Sequence, residues 1–357
     1  MDDRVQDRIR GCLIGGAAGD ALGYAVEFAT LDYILERFGK NGITGYVRDP
    51  GSGLALISDD TQMTMFTAEG VLRARASGKS MVACVKGEYA CWLRTQQTDF
   101  EPNGGNESCL LMKLPRLYSR RAPGNTCLSA LMMRAEENAP DDDYISAAIN
   151  ESKGCGGVMR AAPAGIVPGA DPDRLAYTAA QTAAITHSHP MGYMPAAVLA
   201  YIVNRLVYAE GDAALTDVVE AAKRMVDRVF SGSGPAKRMI EWLDSAAALA
   251  RNAGDDAENI RRLGEGWVGD EALAIALYCC LRHENDFSAA IIAAVNHSGD
   301  SDSTGAIAGN IMGALHGYSS MENKWKNGLE LSDAILGLAD DLCAPDGAER
   351  LSKYAEK

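Results

Sequence analysis

The sequence predicts an all-α fold. Apolar residues recur at the three- and four-residue spacing of helices over most of the 357-residue chain, and convincing strand-like alternation is absent. Hydrophobic residues make up 47% and charged residues 23%, a composition typical of a globular protein rather than a disordered one. The turn-rich breaks are short, so we expect a single compact multi-helix domain over residues 1–357.

Ten segments carry the helical spacing. In chain order they are 61–76, 80–94, 173–186, 195–208, 213–230, 236–252, 268–282, 287–296, 303–316 and 328–343. Four turn-rich sequences interrupt the chain: "DPGSG" at 49–53, "APDDD" at 139–143, "VPGADPD" at 167–173 and "SGSGPAK" at 231–237. None of them is long enough to predict a linker between domains.

Glycine recurs at every fourth residue in two helical segments. One row is Gly11, Gly15, Gly19 and Gly23, and the other is Gly305, Gly309, Gly313 and Gly317. A glycine inside a helix costs about 1 kcal/mol relative to alanine, and a row at this spacing forms a groove for a neighbouring helix. We expect these two helices to be central and to pack on each other, although some of the glycines could simply mark turns. That packing would bring together four acids: Asp20, Glu27, Asp300 and Asp302.

Charge and cysteine usage exclude several classes of protein. With 34 basic and 48 acidic residues the net charge is −14, which argues against a broad nucleic-acid-binding surface. The nine cysteines form no C-x-x-C pair, so neither a disulfide scaffold nor a zinc ribbon is indicated. The N-terminal apolar stretch is short and flanked by acids, and no run approaches the roughly 20 apolar residues of a membrane span. We therefore expect a cytoplasmic protein without nucleic-acid or membrane partners.

Two acidic motifs point to metal chemistry. "SDD" at 58–60 and "DSDS" at 300–303 each place a hydroxyl and paired aspartates at a helix start. Helix capping is one interpretation, because such side chains accept backbone N–H groups there. The other is a cation site, since oxygen-only ligands select Mg²⁺ or Mn²⁺ over zinc. Four aspartates would neutralise two divalent ions, which in such sites lie about 3.5–4 Å apart and activate water; one ion with several waters is the minimal version.

Glycine-rich loops and a histidine pair suggest a ligand pocket. "KGCGGVMRAAP" at 153–163 and "PNGGN" at 102–106 could bring backbone N–H groups close to the phosphates of a nucleotide-like ligand. Neither fits the Walker or dinucleotide pattern, so plain turns are the alternative. In "ITHSHPMGY", His187 is a candidate for ligand contact, whereas a packed or helix-terminal role is the alternative for both His187 and His189.

Five motifs taken together resemble the ADP-ribosylglycohydrolases, the family that includes the dinitrogenase reductase-activating glycohydrolase and the ADP-ribosylarginine hydrolases. The motifs are "GDALGYAVEF" (19–28), "SDDTQM" (58–63), "GCGGVMRAAP" (154–163), "THSHPMGY" (186–193) and "GDSDSTGAIAGNIMGALHG" (299–317), and they follow the family order. The resemblance implies an all-α domain around a cleft that holds two divalent cations, Mg²⁺ or Mn²⁺. The "DSDST" and "GCGGVMRA" sequences are closer to the arginine-specific than to the serine-specific hydrolases.

The resemblance also implies residue roles. The metal ligands would be Ser58, Asp59, Asp60, Asp300, Asp302 and Ser303, with Glu27 near the metals. The ADP-ribose pocket would include Gly156, Gly157, Met159 and His187, together with Gly105 and Asn106 of the second glycine-rich segment. Ser58 stands where threonine is frequent, and it keeps the hydroxyl. The stretches 95–125 and 231–266 match no motif, and we expect the modified protein to be recognised there.

The implied reaction is hydrolysis of the glycosidic bond between ADP-ribose and a protein side chain, in particular an arginine guanidinium. Asp59 or Asp60 would accept the proton of the attacking water, and Asp302 or Glu27 would protonate the leaving guanidine. The partners would be an ADP-ribosylated protein, ADP-ribose as product and a cognate ADP-ribosyltransferase. The alternatives are a non-catalytic protein that blocks such a transferase, and a metal-dependent nucleotide phosphohydrolase. The chain keeps all four aspartates of the two acidic motifs, which argues against the non-catalytic alternative.

Overall fold

The computed structural model describes residues 3–102, 109–136 and 142–355, and helices form nearly all of its regular structure. The α-helices are α1 Asp3–Tyr24, α2 Leu31–Phe38, α3 Asp59–Ser77, α4 Met81–Gln97, α5 Asn125–Glu136, α6 Pro172–Ala184, α7 Pro190–Val207, α8 Leu215–Val229, α9 Gly234–Ala250, α10 Asp256–Leu263, α11 Gly269–Arg282, α12 Phe287–Val295, α13 Ser301–His316, α14 Asn323–Lys326, α15 Ser332–Cys343 and α16 Ser352–Ala355. Short 3₁₀ helices occupy Leu111–Lys113, Pro115–Tyr118, Cys155–Gly157, Ala162–Gly165 and Glu349–Leu351.

The all-α prediction is confirmed, and each of the ten predicted segments overlaps a helix. The prediction missed α2, α5, α10, α14 and α16. It also placed the start of α15 too early, because the chain at 328–330 forms turns around an isolated β-bridge instead of helix. There the backbone pairs with Ala55, whose N–H donates to Gly328 at 2.8 Å and whose carbonyl accepts from Glu330 at 3.0 Å. That bridge holds the segment before α15 against the segment before α3.

The expected contact between the two glycine-rich helices is also confirmed. A β-carbon on Gly11, Gly15 or Gly19 would overlap a backbone carbonyl oxygen of α13, belonging to Gly313, Gly309 and Gly305 respectively. Glycine therefore lets the two backbones touch, and this close packing offsets the conformational cost of glycine in a helix. Gly317 is different: its φ of 80° ends α13, as in the turn interpretation.

The α1–α13 pair forms the centre of the core. Every residue from Gly11 to Gly23 in α1 and from Ser301 to Ala314 in α13 is buried. Helices α7, α11 and α12 pack against α13, and α3, α12 and α15 pack against α1. Among the helices of the described residues, none combines the length and the apolar composition that a bilayer crossing requires.

One end of this central pair positions the start of α3. Asp20, which is fully buried in α1, accepts the backbone N–H of Ser58 at 3.0 Å and that of Thr61 at 3.1 Å. Gly23 lies against the backbone of Ser301, the first residue of α13. The N-termini of α3 and α13 are therefore held at the same end of α1.

Candidate active site

A cleft of about 330 Å³ opens where α3 and α13 begin. Its lining residues are Glu27, Phe28, Asp59, Asp60, 122–127, Gly154, Cys155, Gly156, Met159, His187, Trp267, Asp300, Asp302 and Ser303. Stretches of sequence about 240 positions apart thus meet at one cavity. Nine of the residues singled out from the sequence line it: Glu27, Asp59, Asp60, Gly156, Met159, His187, Asp300, Asp302 and Ser303. Gly105 and Asn106 lie outside the described residues.

The capping interpretation of the acidic motifs is correct for one residue in each. Ser58 caps α3, its Oγ accepting the N–H of Asp60 at 3.1 Å, and Asp300 caps α13 by accepting the N–H of Ser303 at 3.3 Å. Ser58 is fully buried and is not among the lining residues. A capping residue can also line the cleft, because Asp300 caps α13 and is a lining residue. Asp59 and Asp60 follow in the first turn of α3 and line the cavity.

The cleft is strongly acidic. Five carboxyl groups line it, those of Glu27, Asp59, Asp60, Asp300 and Asp302, whereas its lining within the described residues includes neither lysine nor arginine. Burial, and next the neighbouring Asp302, raise the pKa values of Asp59, Asp60 and Asp300 well above the ordinary range. The same two causes raise the pKa of Glu27 to about 10.

Asp20 lies beneath these lining residues. Its carboxylate also accepts the Thr61 hydroxyl, in addition to the two backbone N–H groups at the start of α3. Burial and the charge of Asp302 nevertheless raise the pKa of Asp20 to about 7. Asp20 therefore ties α1 to α3 and adds to the negative potential below the cleft.

The donor set fits hard divalent cations. Asp60 Oδ2 and Glu27 Oε2 are buried without a hydrogen-bond partner, and a buried acceptor in that condition costs free energy until a donor or a cation reaches it. Within the described residues, no three cleft groups of the carboxylate, thiol or imidazole type have ligand atoms all within 4.8 Å of one another. Mg²⁺ tolerates this spacing because it keeps several waters and takes only one or two carboxylates directly. The residues therefore fit ions held by pairs of carboxylates and by water.

The glycine-rich loop forms one wall of the cleft. It is fixed to the segment before α11, because the N–H of Cys155 donates to Trp267 at 3.2 Å and that of Gly269 donates to Lys153 at 2.7 Å. A β-carbon on Gly156 would lie 2.8 Å from His187 Cε1, so only glycine fits. Gly157, in contrast, packs against the Gly192 carbonyl and is not a lining residue.

His187 is a packed histidine that also reaches the cleft. Its Nδ1 lies 2.8 Å from the Thr186 hydroxyl, which in turn accepts from Arg160 at 2.5 Å. Burial, with a smaller contribution from the Arg160 charge, lowers the pKa of His187 to about 3. The ring is therefore neutral at ordinary pH. His189 has the helix-terminal role, because its Nδ1 accepts the N–H of Met191 and caps α7.

Two aromatic side chains at the cleft were not predicted from the sequence. Phe28 and Trp267 stack with ring centroids 5.4 Å apart and planes 15° apart, although 69% and 37% of their surfaces are exposed. Phe28 has a φ of 65°, which is uncommon for a non-glycine residue. The one available signal was local: Trp267 stands between glycines in "GEGWVG". These rings give the acidic cleft an apolar element at its lining.

The segment 122–127 is a further element that the sequence motifs did not reveal. The carbonyl of Arg121 accepts the N–H of Asp59 at 3.0 Å, and the N–H of Gly124 points to Asp59 Oδ2 at 3.4 Å. The segment is thus fixed to the start of α3 by backbone groups, which any sequence can supply. This explains why no motif identified it.

A second, larger surface cleft of about 430 Å³ lies between α9 and α10. Arg238, Trp242 and Arg262 are among its lining residues. It contains none of the residues singled out from the sequence, and its lining carries no carboxylate cluster. The smaller, acidic cleft is therefore the better candidate for chemistry, while the larger one falls in the stretch 231–266 that matched no motif.

Comparison with known proteins identifies the family and the fold. A family model described as ADP-ribosylglycohydrolase matches residues 1–351. The ADP-ribosyl-(dinitrogen reductase) glycohydrolase of Rhodospirillum rubrum is 26% identical, with 94% of this chain and 97% of the relative covered. The ADP-ribosylarginine hydrolase Tri1 of Serratia proteamaculans is also 26% identical, with 94% and 79% covered, and the human ADP-ribosylhydrolase ARH3 is 23% identical, with 92% and 90% covered. A solved structure titled ADP-ribosylglycohydrolase-related protein complex has the same fold, with a TM-score of 0.63, 22% identity and coverage of 98% and 99%.

Proposed function

Because the chain belongs to the ADP-ribosylglycohydrolase family, we propose that it hydrolyses the bond between ADP-ribose and an arginine side chain of a modified protein. Removal of ADP-ribose from modified proteins is the activity that the family membership itself supports. The arginine linkage is supported by the relative named as an ADP-ribosylarginine hydrolase. It is also supported by the sequences "DSDST" and "GCGGVMRA", which resemble those of arginine-specific members.

We propose that the acidic cleft holds two divalent cations, Mg²⁺ or Mn²⁺. Asp59 and Asp60 would bind at the α3 side, and Asp300, Asp302 and Ser303 at the α13 side. The buried, unpartnered Asp60 Oδ2 and the absence of basic side chains from the described lining support this assignment. Ser58 would be a further ligand at the α3 side and has the weakest support of the six, because its hydroxyl caps α3. Bound cations of this kind orient sugar hydroxyls and lower the pKa of water.

In the proposed reaction, carboxyl groups of the chain accept a proton from the attacking water and donate one to the leaving group. A water oxygen bonds to the anomeric carbon, Asp59 or Asp60 accepts one of its protons, and the bond to the guanidine nitrogen breaks. The leaving guanidine takes a proton from an acid of the chain, so the products are free ADP-ribose and unmodified arginine. The surrounding carboxylates stabilise the positive charge that develops on the sugar.

Glu27 is the better of the two candidate acids. Its carboxyl lies at the cleft with Oε2 unpartnered, and burial together with the neighbouring aspartates raises its pKa to about 10. This pKa belongs to the metal-free chain; bound cations would offset the charges of the aspartates, and burial would still favour the protonated form that can donate. Asp302 has no comparable support, because its Oδ1 already accepts the N–H of Ser303 at 3.0 Å.

We assign the ADP-ribose to the wall formed by the glycine-rich loop. Gly156, Met159 and neutral His187 lie there together, and the loop offers a close approach to the backbone. The stacked Phe28 and Trp267 rings would contact the modified arginine and its protein, since aromatic faces attract guanidinium groups. The ligand would thus run from the loop, past the carboxylates, to the aromatic pair.

The observation that carries this proposal is the meeting of Asp59 and Asp60 with Asp300 and Asp302 at one cleft. The test is release of free ADP-ribose from an ADP-ribosylarginine peptide and from an ADP-ribosylserine peptide, with Mg²⁺, with Mn²⁺ and with a chelator. We expect release from the arginine peptide only with a cation, and a loss of at least about 100-fold in Asp60→Asn. Asp227→Asn, a change at an exposed aspartate of α8, is the matched control and should remain active.

The other outcomes distinguish the alternatives. Release from the serine peptide alone would overturn the arginine assignment while leaving the family activity intact. Release of phosphate from a nucleotide, with no ADP-ribose from either peptide, would favour the phosphohydrolase. A folded chain that releases nothing but binds an ADP-ribosyltransferase tightly would favour the inhibitor.

A further inference from the structure

We propose that the chain has a second metal site, separate from the acidic cleft, in which Glu88, Cys91 and Cys109 bind a thiophilic divalent cation such as Zn²⁺. The three residues lie between α4 and the segment that precedes the Leu111–Lys113 helix, and all three are buried. Neither the implied family chemistry nor the proposed hydrolysis uses them.

The distances suit a small ion with sulfur ligands. One carboxylate oxygen of Glu88 and the sulfur atoms of Cys91 and Cys109 all lie within 4.8 Å of one another. A point no farther than about 2.8 Å from all three atoms therefore exists, against typical zinc–sulfur bonds of about 2.3 Å and zinc–oxygen bonds of about 2.0–2.2 Å. Side-chain shifts of at most about 0.5–0.8 Å would bring the three atoms to these bond lengths.

The local structure brings the side chains of the three ligands together. Glu88 and Cys91 are three residues apart in α4, so they share a helix face. Cys109 is held in place by Glu69 of α3, whose carboxylate accepts the N–H groups of Leu110 at 2.6 Å and Leu111 at 3.0 Å. The backbone on both sides of the site is therefore fixed without any contribution from a metal.

The Glu88 carboxylate shows which atom is available for a ligand. Its Oε1 accepts from Arg73 Nε at 2.6 Å, whereas its Oε2 is buried and has no hydrogen-bond partner, in a residue that is only 3% exposed. Metal-bound carboxylates are characteristically held by a second group on their other oxygen, as Arg73 holds this one. The Cys109 thiol lies beside this carboxylate and points to Glu69 Oε2 at 3.7 Å.

The charges balance when the ion binds. Zn²⁺ displaces one proton from each thiol, both protons leave to solvent, and no atom is oxidised or reduced. The ion with two thiolates is neutral, so binding leaves the net charge of the cluster unchanged, and Arg73 still pairs with both Glu88 and Glu69.

The test is metal analysis of the full-length protein purified without chelator, together with titration of the metal-stripped protein with Co²⁺. We expect about one zinc per chain and, with Co²⁺, the near-ultraviolet charge-transfer band of thiolate ligation. Cys91→Ser/Cys109→Ser should lose both signals. Cys279→Ser/Cys280→Ser is the matched control, since it removes two buried cysteines of α11 elsewhere in the core, and it should keep both.

Two further variants keep the result interpretable. Glu88→Gln, which can still accept from Arg73, should fold and bind zinc at least about tenfold more weakly. Asp60→Asn/Asp302→Asn should keep its zinc, which separates this site from the proposed Mg²⁺ or Mn²⁺ site. Wild-type protein that shows no cobalt band, zinc that survives the Cys91→Ser/Cys109→Ser change, or a Cys91–Cys109 disulfide in protein kept under reducing conditions would overturn the proposal.

Discussion

Gly15 of α1 and Gly309 of α13 face each other so closely that a β-carbon on either would overlap the carbonyl oxygen of the other. This contact repeats one turn away in each direction along the helix pair. Because the α3 and α13 aspartates are positioned from the end of that pair, the distance between the two backbones also sets the geometry of the cleft.

The first prediction concerns the stability of this contact. Gly309→Ala should destabilise the protein by about 3 kcal/mol, because the added methyl must push two central helices apart. Gly337→Ala is the matched control: Gly337 lies inside α15 and an added β-carbon there meets nothing within 4 Å. It should stabilise the protein by about 0.5–1 kcal/mol through helix propensity.

Chemical denaturation of both variants, followed by circular dichroism, measures these changes in the free energy of unfolding. Equal effects of the two substitutions would show that the helices can separate at little cost. That result would contradict the account of the glycine rows given above.

The structural features that could be predicted from the sequence are those that leave a periodic pattern or a motif. The spacing of apolar residues located ten helices, and the two glycine rows located the central pair, because a glycine ladder has few other physical explanations. Helices α2 and α10 were missed although they are amphipathic, because they span only eight residues each, and α14 and α16 span four. Helix α5 has twelve residues but little amphipathic periodicity. The start of α15 was wrong because tertiary pairing with Ala55 overrides the local helical preference at 328–330.

The residues of the candidate site also include some that the sequence motifs identified and some that they did not. Asp59, Asp60, Asp300 and Asp302 were found because paired acids beside helix starts are unusual, and the structure places them at one cleft. Trp267 and the segment 122–127 were not found, because a single aromatic and a stretch held by backbone hydrogen bonds leave no distinctive pattern. Ser58 remains a predicted ligand, and in the structure its hydroxyl accepts the N–H of Asp60 and caps α3.

The second prediction concerns pH and metal. In the metal-free chain the pKa values of Asp59, Asp60 and Asp300 lie well above their ordinary range, so the folded protein holds protons that the unfolded chain releases above about pH 4. The contribution of these groups to stability is therefore greatest below their unfolded pKa values. It falls as the pH rises toward their folded values.

We expect Asp60→Asn to raise the melting temperature of the metal-free protein relative to wild type at about pH 8, and to have a smaller effect at about pH 5. Millimolar Mn²⁺ should raise the melting temperature of wild type more at the higher pH, and should raise that of Asp60→Asn less. Differential scanning fluorimetry at the two pH values, with Asp227→Asn as control, provides the measurement. A metal-free Asp60→Asn protein that melts below wild type at about pH 8 would argue that Asp60 is stabilised by its surroundings rather than repelled.

The third prediction concerns the aromatic pair at the cleft. Trp267 stacks on Phe28 and donates from Nε1 to Glu265 at 3.2 Å, while the backbone of Glu265 accepts the N–H of Asp300 at 2.8 Å. The ring is thus fixed to the segment that also positions α13. If it contacts the modified arginine, Trp267→Ala should raise KM for an ADP-ribosylarginine peptide about three- to tenfold, in keeping with about 0.5–1.5 kcal/mol for an aromatic contact, and should change kcat less.

Inhibition by free ADP-ribose shows whether the Trp267 ring contacts the arginine part or the ADP-ribose part of the ligand. ADP-ribose lacks the arginine, so its inhibition constant should change less than KM in Trp267→Ala if the ring contacts the arginine side. Tyr33→Ala, which removes another exposed aromatic ring from α2, should alter neither value. A fall in kcat at constant KM would instead mean that loss of the indole disturbs Asp300 through Glu265, so that Trp267 positions the carboxylates and does not bind the modified protein.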